Sequence, residues 1–159
     1  MSDAVLDTGQ GFVLVRAQEK HKAAVVALQQ AAYARNRALL GLEPLPLLAD
    51  YDEVFANNEV WLGWLDDALA AVLVLEIRVD DVLIWSVATA PKLQGQGLGA
   101  ALLDAAEVRC RGMGRRRLYL YTGATLQHLV SWYQRHGFNV ERIEQLDDRA
   151  IAHMSKALD

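Results

Sequence analysis

Cysteine is nearly missing from this 159-residue chain; Cys110 stands alone. One thiol forbids an intramolecular disulfide and any cysteine-built metal cluster, and such scarcity suits a reducing, cytoplasmic setting. No apolar run approaches the ~18–20 residues that cross a membrane. Residues 1–11 lack the basic and apolar stretches of a signal peptide, so no membrane partner is expected. A basic excess is missing too: 16 Lys and Arg stand against 20 Asp and Glu, a formal net charge of −4. Nucleic-acid binding needs a basic footprint, so no nucleic-acid partner is expected. His21, His128, His136 and His153 show no ligand spacing, and no metal is implied. Repeats, low-complexity tracts and Gly/Pro/Ser-rich linkers are missing as well.

Apolar residues are plentiful, at 53% of the chain. That is enough for a buried core without cross-links, and the length fits a single domain over residues 1–159, with residues 1–10 expected to be flexible. Residues 12–16 read as a strand, and residues 20–34 as a helix with Ala24, Val25, Leu28 and Ala32 at helical spacing. Pro44 and Pro46 break the pattern, and residues 47–57 read as a shorter helix. Residues 59–65, 69–79 and 82–89 read as strands of an antiparallel meander, turning at Asp66-Asp67 and at Asp80-Asp81. A helix over 97–113, a strand over 117–122, a helix over 125–136 and a hairpin of 138–145 with 150–156 follow. The fold class is α/β (α+β), with one parallel strand pair in a mixed sheet.

The most informative segment runs from Val87 to Ala100. A strand delivers the chain to a glycine-rich loop, and the loop opens a helix. Glycine permits positive φ and close backbone approach. The first helical turn offers unpaired N–H groups and the positive end of a dipole. Together they suit a phosphate or pyrophosphate. A Walker loop is excluded, because no Lys-Ser or Lys-Thr follows the last glycine. Gly95-x-Gly97-x-x-Ala100 fits a loose dinucleotide fingerprint. Its context is wrong, with a meander before it and no acid about 20 residues on.

The Gln94-x-x-Gly97-x-Gly99 pattern, following a strand and Pro91, resembles the signature of the Gcn5-related N-acetyltransferases (GNAT). The run Trp132-Tyr133-Gln134-Arg135-His136-Gly137-Phe138 is similar to that family's closing Tyr, then Gly-Phe. The element order matches over residues 12–158. The resemblance implies a mostly antiparallel central sheet of about six to seven strands flanked by about four helices. It also implies acetyl-coenzyme A as cosubstrate, with no metal, and an acetyl transfer to a small-molecule or protein amine.

Carried over residue by residue, the resemblance assigns the backbone of Val87, Ala88 and Thr89 to the pantetheine arm of the cofactor. The backbone amides of Gln94, Gly95, Gln96, Gly97, Leu98, Gly99 and Ala100 fall to the pyrophosphate. The N–H of Val87 or Ala88 would face the oxyanion. Tyr133 is the expected acid for the departing thiolate, against a plain packing role on an apolar helix face. Many relatives carry a glutamate base where Trp85 stands here. Glu76 is the substitute: if Asp80-Asp81 forms a two-residue turn, Glu76 lies opposite Trp85. A solvated strand glutamate is the competing reading. Where relatives often carry an asparagine, seven residues before the tyrosine, this chain has Leu126.

The acceptor pocket is expected between residues 33 and 51, with Asn36, Arg37, Leu39, Leu40, Leu45 and Tyr51 in it and Asp50 or Asp52 as amine anchors. A homodimer is left open. Two rival readings are a non-catalytic acyl-CoA-binding module and a dinucleotide-dependent oxidoreductase.

Overall fold

The computed structural model describes residues 4–8 and 11–159. A single eight-stranded sheet runs in the order β1-β2-β3-β4-β5-β6-β8-β7. Its strands are β1 (Val5–Asp7), β2 (Val13–Arg16), β3 (Glu59–Leu65), β4 (Ala68–Ile77), β5 (Val82–Thr89), β6 (Arg117–Gly123), β7 (Asn139–Gln145) and β8 (Ala150–Ala157). Every neighbouring pair is antiparallel except β5 and β6. One parallel pair in an otherwise antiparallel sheet is not a doubly wound dinucleotide fold, which overturns the oxidoreductase alternative.

Six α-helices accompany the sheet: α1 (Lys22–Ala32), α2 (Ala34–Leu40), α3 (Leu45–Leu48), α4 (Tyr51–Asn57), α5 (Leu98–Gly112) and α6 (Gln127–Arg135). Both counts exceed the expected ones. The extra strand is β1, which pairs with β2 within a segment expected to be flexible; residues 1–3 and 9–10 of that segment lie outside the described residues. One extra helix, α2, carries the chain past the expected helix end at residue 34; the other comes from division of the helix expected over 47–57. Pro44 and Pro46 start α3, and Asp50 then caps α4, accepting from the Asp52 N–H at 2.9 Å. Gly41 ends α2 at φ 73°, its N–H donating to the Arg37 carbonyl. Among the described residues no helix is long and apolar enough to cross a membrane.

The sheet is covered on both sides. On one face α5 lays Leu102, Ala105 and Ala106 against Leu73, Leu75, Ile84 and Met154. On the other, α1 and α4 bring Val25, Leu28 and Val54 against Leu62, Val72 and Val74. All residues of β4 from Ala70 to Leu75 are buried, which is why that strand reads as a continuous apolar run without alternation. Each fully buried leucine contributes about 1.5–3 kcal/mol of apolar burial.

The β4–β5 register departs from expectation in two ways. The turn is Val79-Asp80, one residue early, closed by the Arg78 N–H on the Asp81 carbonyl at 2.9 Å. The Arg78 guanidinium locks it with paired bonds to Asp81, at 2.6 and 2.8 Å. Glu76 therefore pairs with Leu83, not Trp85. Farther along, Val74 pairs with Ser86 while Leu75 pairs with Ile84, so Trp85 is the extra residue of a β-bulge. The bulge puts Trp85 and Ser86 on the same face, toward α1: Trp85 meets Tyr51 edge-on, and Ser86 meets Gln29.

Candidate active site

The parallel pair β5–β6 is short. Only Val82 with Leu118 and Leu83 with Tyr119 are in register; beyond them the strands part. From Ile84 to Thr89 and from Leu120 to Gly123, each strand keeps its outer partner and leaves its inner edge unpaired. Peptide groups on such edges require partners from water or a ligand. A cavity of about 860 Å³ opens there.

Its walls include Val87, Ala88 and Thr89 on one side and Leu120 to Gly123 on the other. The floor of its far end is the glycine loop, contributing Gln94, Gly95, Gly97, Gly99 and Ala100; Gln96 and Leu98 lie just outside the lining. Gly95 and Gly97 adopt φ of +85° and +87°, with nothing within 4 Å of where a Cβ would stand. This left-handed backbone turns the chain into α5, whose first helical bond is Ala101 N–H to Gly97 O at 3.1 Å. The Leu98, Gly99 and Ala100 amides are left ahead of that series. Side chains pin the loop from outside: Gln94 Nε2 donates to the Thr89 carbonyl at 3.3 Å and Gln96 Nε2 to the Lys92 carbonyl at 3.5 Å.

Tyr133 lines the cavity from α6. Its ring packs against Trp132 and Phe138, at centroid distances of 5.0 and 5.8 Å. Burial, followed by the nearby Tyr33, pushes its hydroxyl far above the ordinary tyrosine range, so it stays protonated. Leu126, where relatives carry asparagine, is buried at the start of α6 and lines the same cavity.

Among the described residues, no Asp or Glu lines the cavity. Glu76 stands outside it, half-buried beside Leu83, and its charge acts on Tyr121 and Arg78. The proposed amine anchors are elsewhere too: Asp50 caps α4, and Asp52 pairs with Lys22. Of the residues expected in the acceptor pocket, Asn36, Leu40 and Leu45 line the cavity, whereas Arg37, Leu39 and Tyr51 do not. Sequence reading missed Ser86, His128, Arg135 and Arg149. The hairpin turn delivers Arg149, whose Nη1 donates to the Glu43 carbonyl at 2.9 Å; a contact 106 residues apart leaves no local trace in the sequence. Burial and the neighbouring Arg35 lower the His128 pKa below the ordinary histidine range.

The acetyltransferase (GNAT) family model matches residues 23–138, the span that contains both cavity walls, the loop and Tyr133. The chain belongs to that family. Like other members it is an acetyl-CoA-dependent acyltransferase. It is 36% identical over 110 residues to YvbK, an uncharacterized N-acetyltransferase of Bacillus subtilis strain 168, across 65% of this chain and 70% of that protein. In fold it is similar to a Bacillus subtilis acetyltransferase in complex with CoA. That match has 23% identity, covers 92% of this chain and 98% of the other, and has a TM-score of 0.71. It is also similar to the PaiA N-acetyltransferase of Thermoplasma acidophilum in complex with coenzyme A. There the identity is 15%, with 93% and 99% of the two chains covered and a TM-score of 0.74. The residues of this acetyltransferase fit an acyl-coenzyme A: two unpaired strand edges, left-handed glycines with open space beside them, and first-turn amides. Among the described residues no cluster of side chains could hold a metal ion.

Proposed function

We propose that this chain moves an acetyl group from acetyl-CoA to a primary amine by direct attack. The observation that carries the reading is the unpaired edge of β5, followed through the loop of residues 90–97 by the Gly97-started helix α5, with Tyr133 lining the same cavity. Acetyl-CoA, when bound, supplies the thioester that the amine attacks.

The chain's residues do the rest. Val87, Ala88 and Thr89 offer backbone partners to an extended amide-bearing arm, in the manner of an added strand. The loop amides between Gln94 and Ala100 hold the pyrophosphate. The Val87 N–H polarises the thioester oxygen. Tyr133, kept protonated by its burial, donates its proton to the departing sulfur. With no carboxylate on the cavity wall, the amine proton leaves through water. Glu76 is the base only at the end of such a water path, past Tyr121, whose hydroxyl feels its charge. Asn36, Leu40, Leu45 and Arg149 border the acceptor, whether small molecule or protein terminus.

The test is release of coenzyme A thiol across a panel of amino acids, polyamines, aminoglycosides and peptide N-termini. At least one amine gives turnover well above hydrolysis. Tight acetyl-CoA binding with no thiol release from any amine would establish the non-catalytic binding module instead.

A further inference from the structure

Four side chains form a buried polar chain behind the cavity. Tyr33, between α1 and α2, has its hydroxyl 2.9 Å from Ser86 Oγ. Gln29, fully buried, turns its whole amide edge toward the same oxygen: Nε2 lies at 3.0 Å and Oε1 at 3.1 Å. The Tyr51 hydroxyl adjoins Gln29 and donates to the Pro46 carbonyl at 2.9 Å. Ser86 can join this chain only because of the bulge at Trp85, which turns it toward α1.

The outer end of the chain is in the cavity. Tyr33 and Val87 both line it, and the Val87 backbone lies close enough to the Tyr33 hydroxyl to act on it. This is where β5 has lost its inner partner. Burial, above all, keeps the Tyr33 hydroxyl protonated and so able to donate.

We infer that Tyr33 is a second donor to the thioester oxygen, acting beside the Val87 N–H. The inference rests on the acetyl-transfer reading of this site. Without ligand, Tyr33 donates to Ser86 Oγ, and Ser86 donates to Gln29 Oε1. When a thioester oxygen takes the Val87 N–H, the Tyr33 proton turns to that oxygen. Ser86 then donates to Tyr33, and Gln29 Nε2 donates to Ser86. Because Gln29 presents both amide atoms to Ser86, as acceptor in one state and donor in the other, the chain can run in either polarity. The amine nitrogen bonds to the carbonyl carbon as the carbon–sulfur bond breaks. One amine proton leaves to water, Tyr133 protonates the sulfur, and Tyr133 then regains a proton from water, so that no net proton is consumed. Tyr33 keeps its proton throughout; it stabilises developing charge and moves nothing.

The test is the carbonyl stretch of 13C-labelled acetyl-CoA bound to the protein without amine, read by infrared difference spectroscopy. The wild-type band lies at lower frequency than in solution. Tyr33→Phe loses most of that displacement, Ser86→Ala loses part, and Tyr133→Phe keeps it. In turnover, Tyr33→Phe lowers kcat on the order of 10²-fold, as removal of one oxyanion donor does. The KM for acetyl-CoA, the affinity for free coenzyme A and the shape of the pH–rate profile stay as in wild type. A wild-type band unmoved from solution, or an equal displacement in Tyr33→Phe, overturns the inference. If Tyr33→Phe does not fold, a full displacement in Ser86→Ala overturns it. If acetyl-CoA binds with its band displaced but no amine reacts, the transferase reading fails while the assignment of Tyr33 stands. Failure to bind acetyl-CoA overturns both.

Discussion

The indole of Trp132 covers Gly99: a Cβ at residue 99 would stand 3.0 Å from Trp132 Cζ2 and 3.2 Å from Cη2. The first turn of α5 and the middle of α6 meet at this point, between the glycine loop and Tyr133. The glycine at 99 thus serves close approach, whereas those at 95 and 97 serve backbone conformation.

Substituting the glycines should therefore have different consequences. Gly97→Ala forces an alanine to φ +87°, which costs about 1–2 kcal/mol and disturbs the amides of the loop. It lowers both Tm and acetyl-CoA affinity. Gly112→Ala, within α5 and with open space at its Cβ, raises stability by about 0.5–1 kcal/mol and leaves affinity unchanged. Thermal melts with and without acetyl-CoA check both.

Tyr133→Phe removes the proton donor and keeps the packing against Trp132 and Phe138. Its kcat falls about 10- to 100-fold, with the KM for acetyl-CoA nearly constant, since thiolates leave readily without help. Because the wild-type tyrosine titrates far above its ordinary range, no alkaline loss of rate below about pH 10 arises from it. Single-turnover rates as a function of pH would show this; unchanged turnover in the variant reduces Tyr133 to packing.

Acid stability should depend on Glu59. Its carboxylate takes paired bonds from Arg109, at 2.9 and 2.7 Å, and one from Trp61 Nε1 at 3.0 Å. Burial works against its charge, but these bonds outweigh it and hold the carboxyl below its usual pKa of 4.5. A depressed folded pKa contributes stability that is complete above the unfolded value and is lost as pH falls through the folded one. Unfolding free energy in urea should drop as pH falls below about 4.5, and Glu59→Gln should flatten that slope. Arg109→Ala, leaving the Glu59 carboxylate only Trp61 Nε1 and the more distant Arg16 at 3.8 Å, should destabilise at neutral pH by at most about 3–5 kcal/mol.

Cys110 should stay silent in a thiol-release assay. It is fully buried, its Sγ lies 3.6 Å from the Arg117 carbonyl, and burial raises its pKa. Ellman's reagent added to native protein should give no signal before unfolding, and one equivalent after it. A fast native reaction would contradict the packing of α5 on β6.

Much of the site was legible in the sequence because its chemistry is local. Gly95, Gly97 and Gly99 announce a turn, an opening helix and a close approach within a few residues, and Tyr133 precedes Gly137-Phe138 in one short run. The helix break at Pro44 and Pro46 was legible too, though not its division into α3 and α4. The β4–β5 register was not. Two acids at 80 and 81 suggested the turn, but the Arg78–Asp81 pair claims Asp81 for the strand end, and the turn falls on Val79-Asp80.

Composition and local pattern determined that this chain folds around an apolar core, passes from a strand through a glycine-rich loop into a helix, and can form neither an intramolecular disulfide nor a cysteine-built metal cluster. Those properties follow from residue type and spacing along a few turns of chain. Only the tertiary structure decided which side chains stand at the point of transfer. The bulge at Trp85 turned Ser86 toward Gln29 and Tyr33, and the turn at Val79-Asp80 set Glu76 opposite Leu83 instead of Trp85. A strand's face depends on register, and register is set by pairing with a distant strand; a slip of one residue exchanges one face for the other.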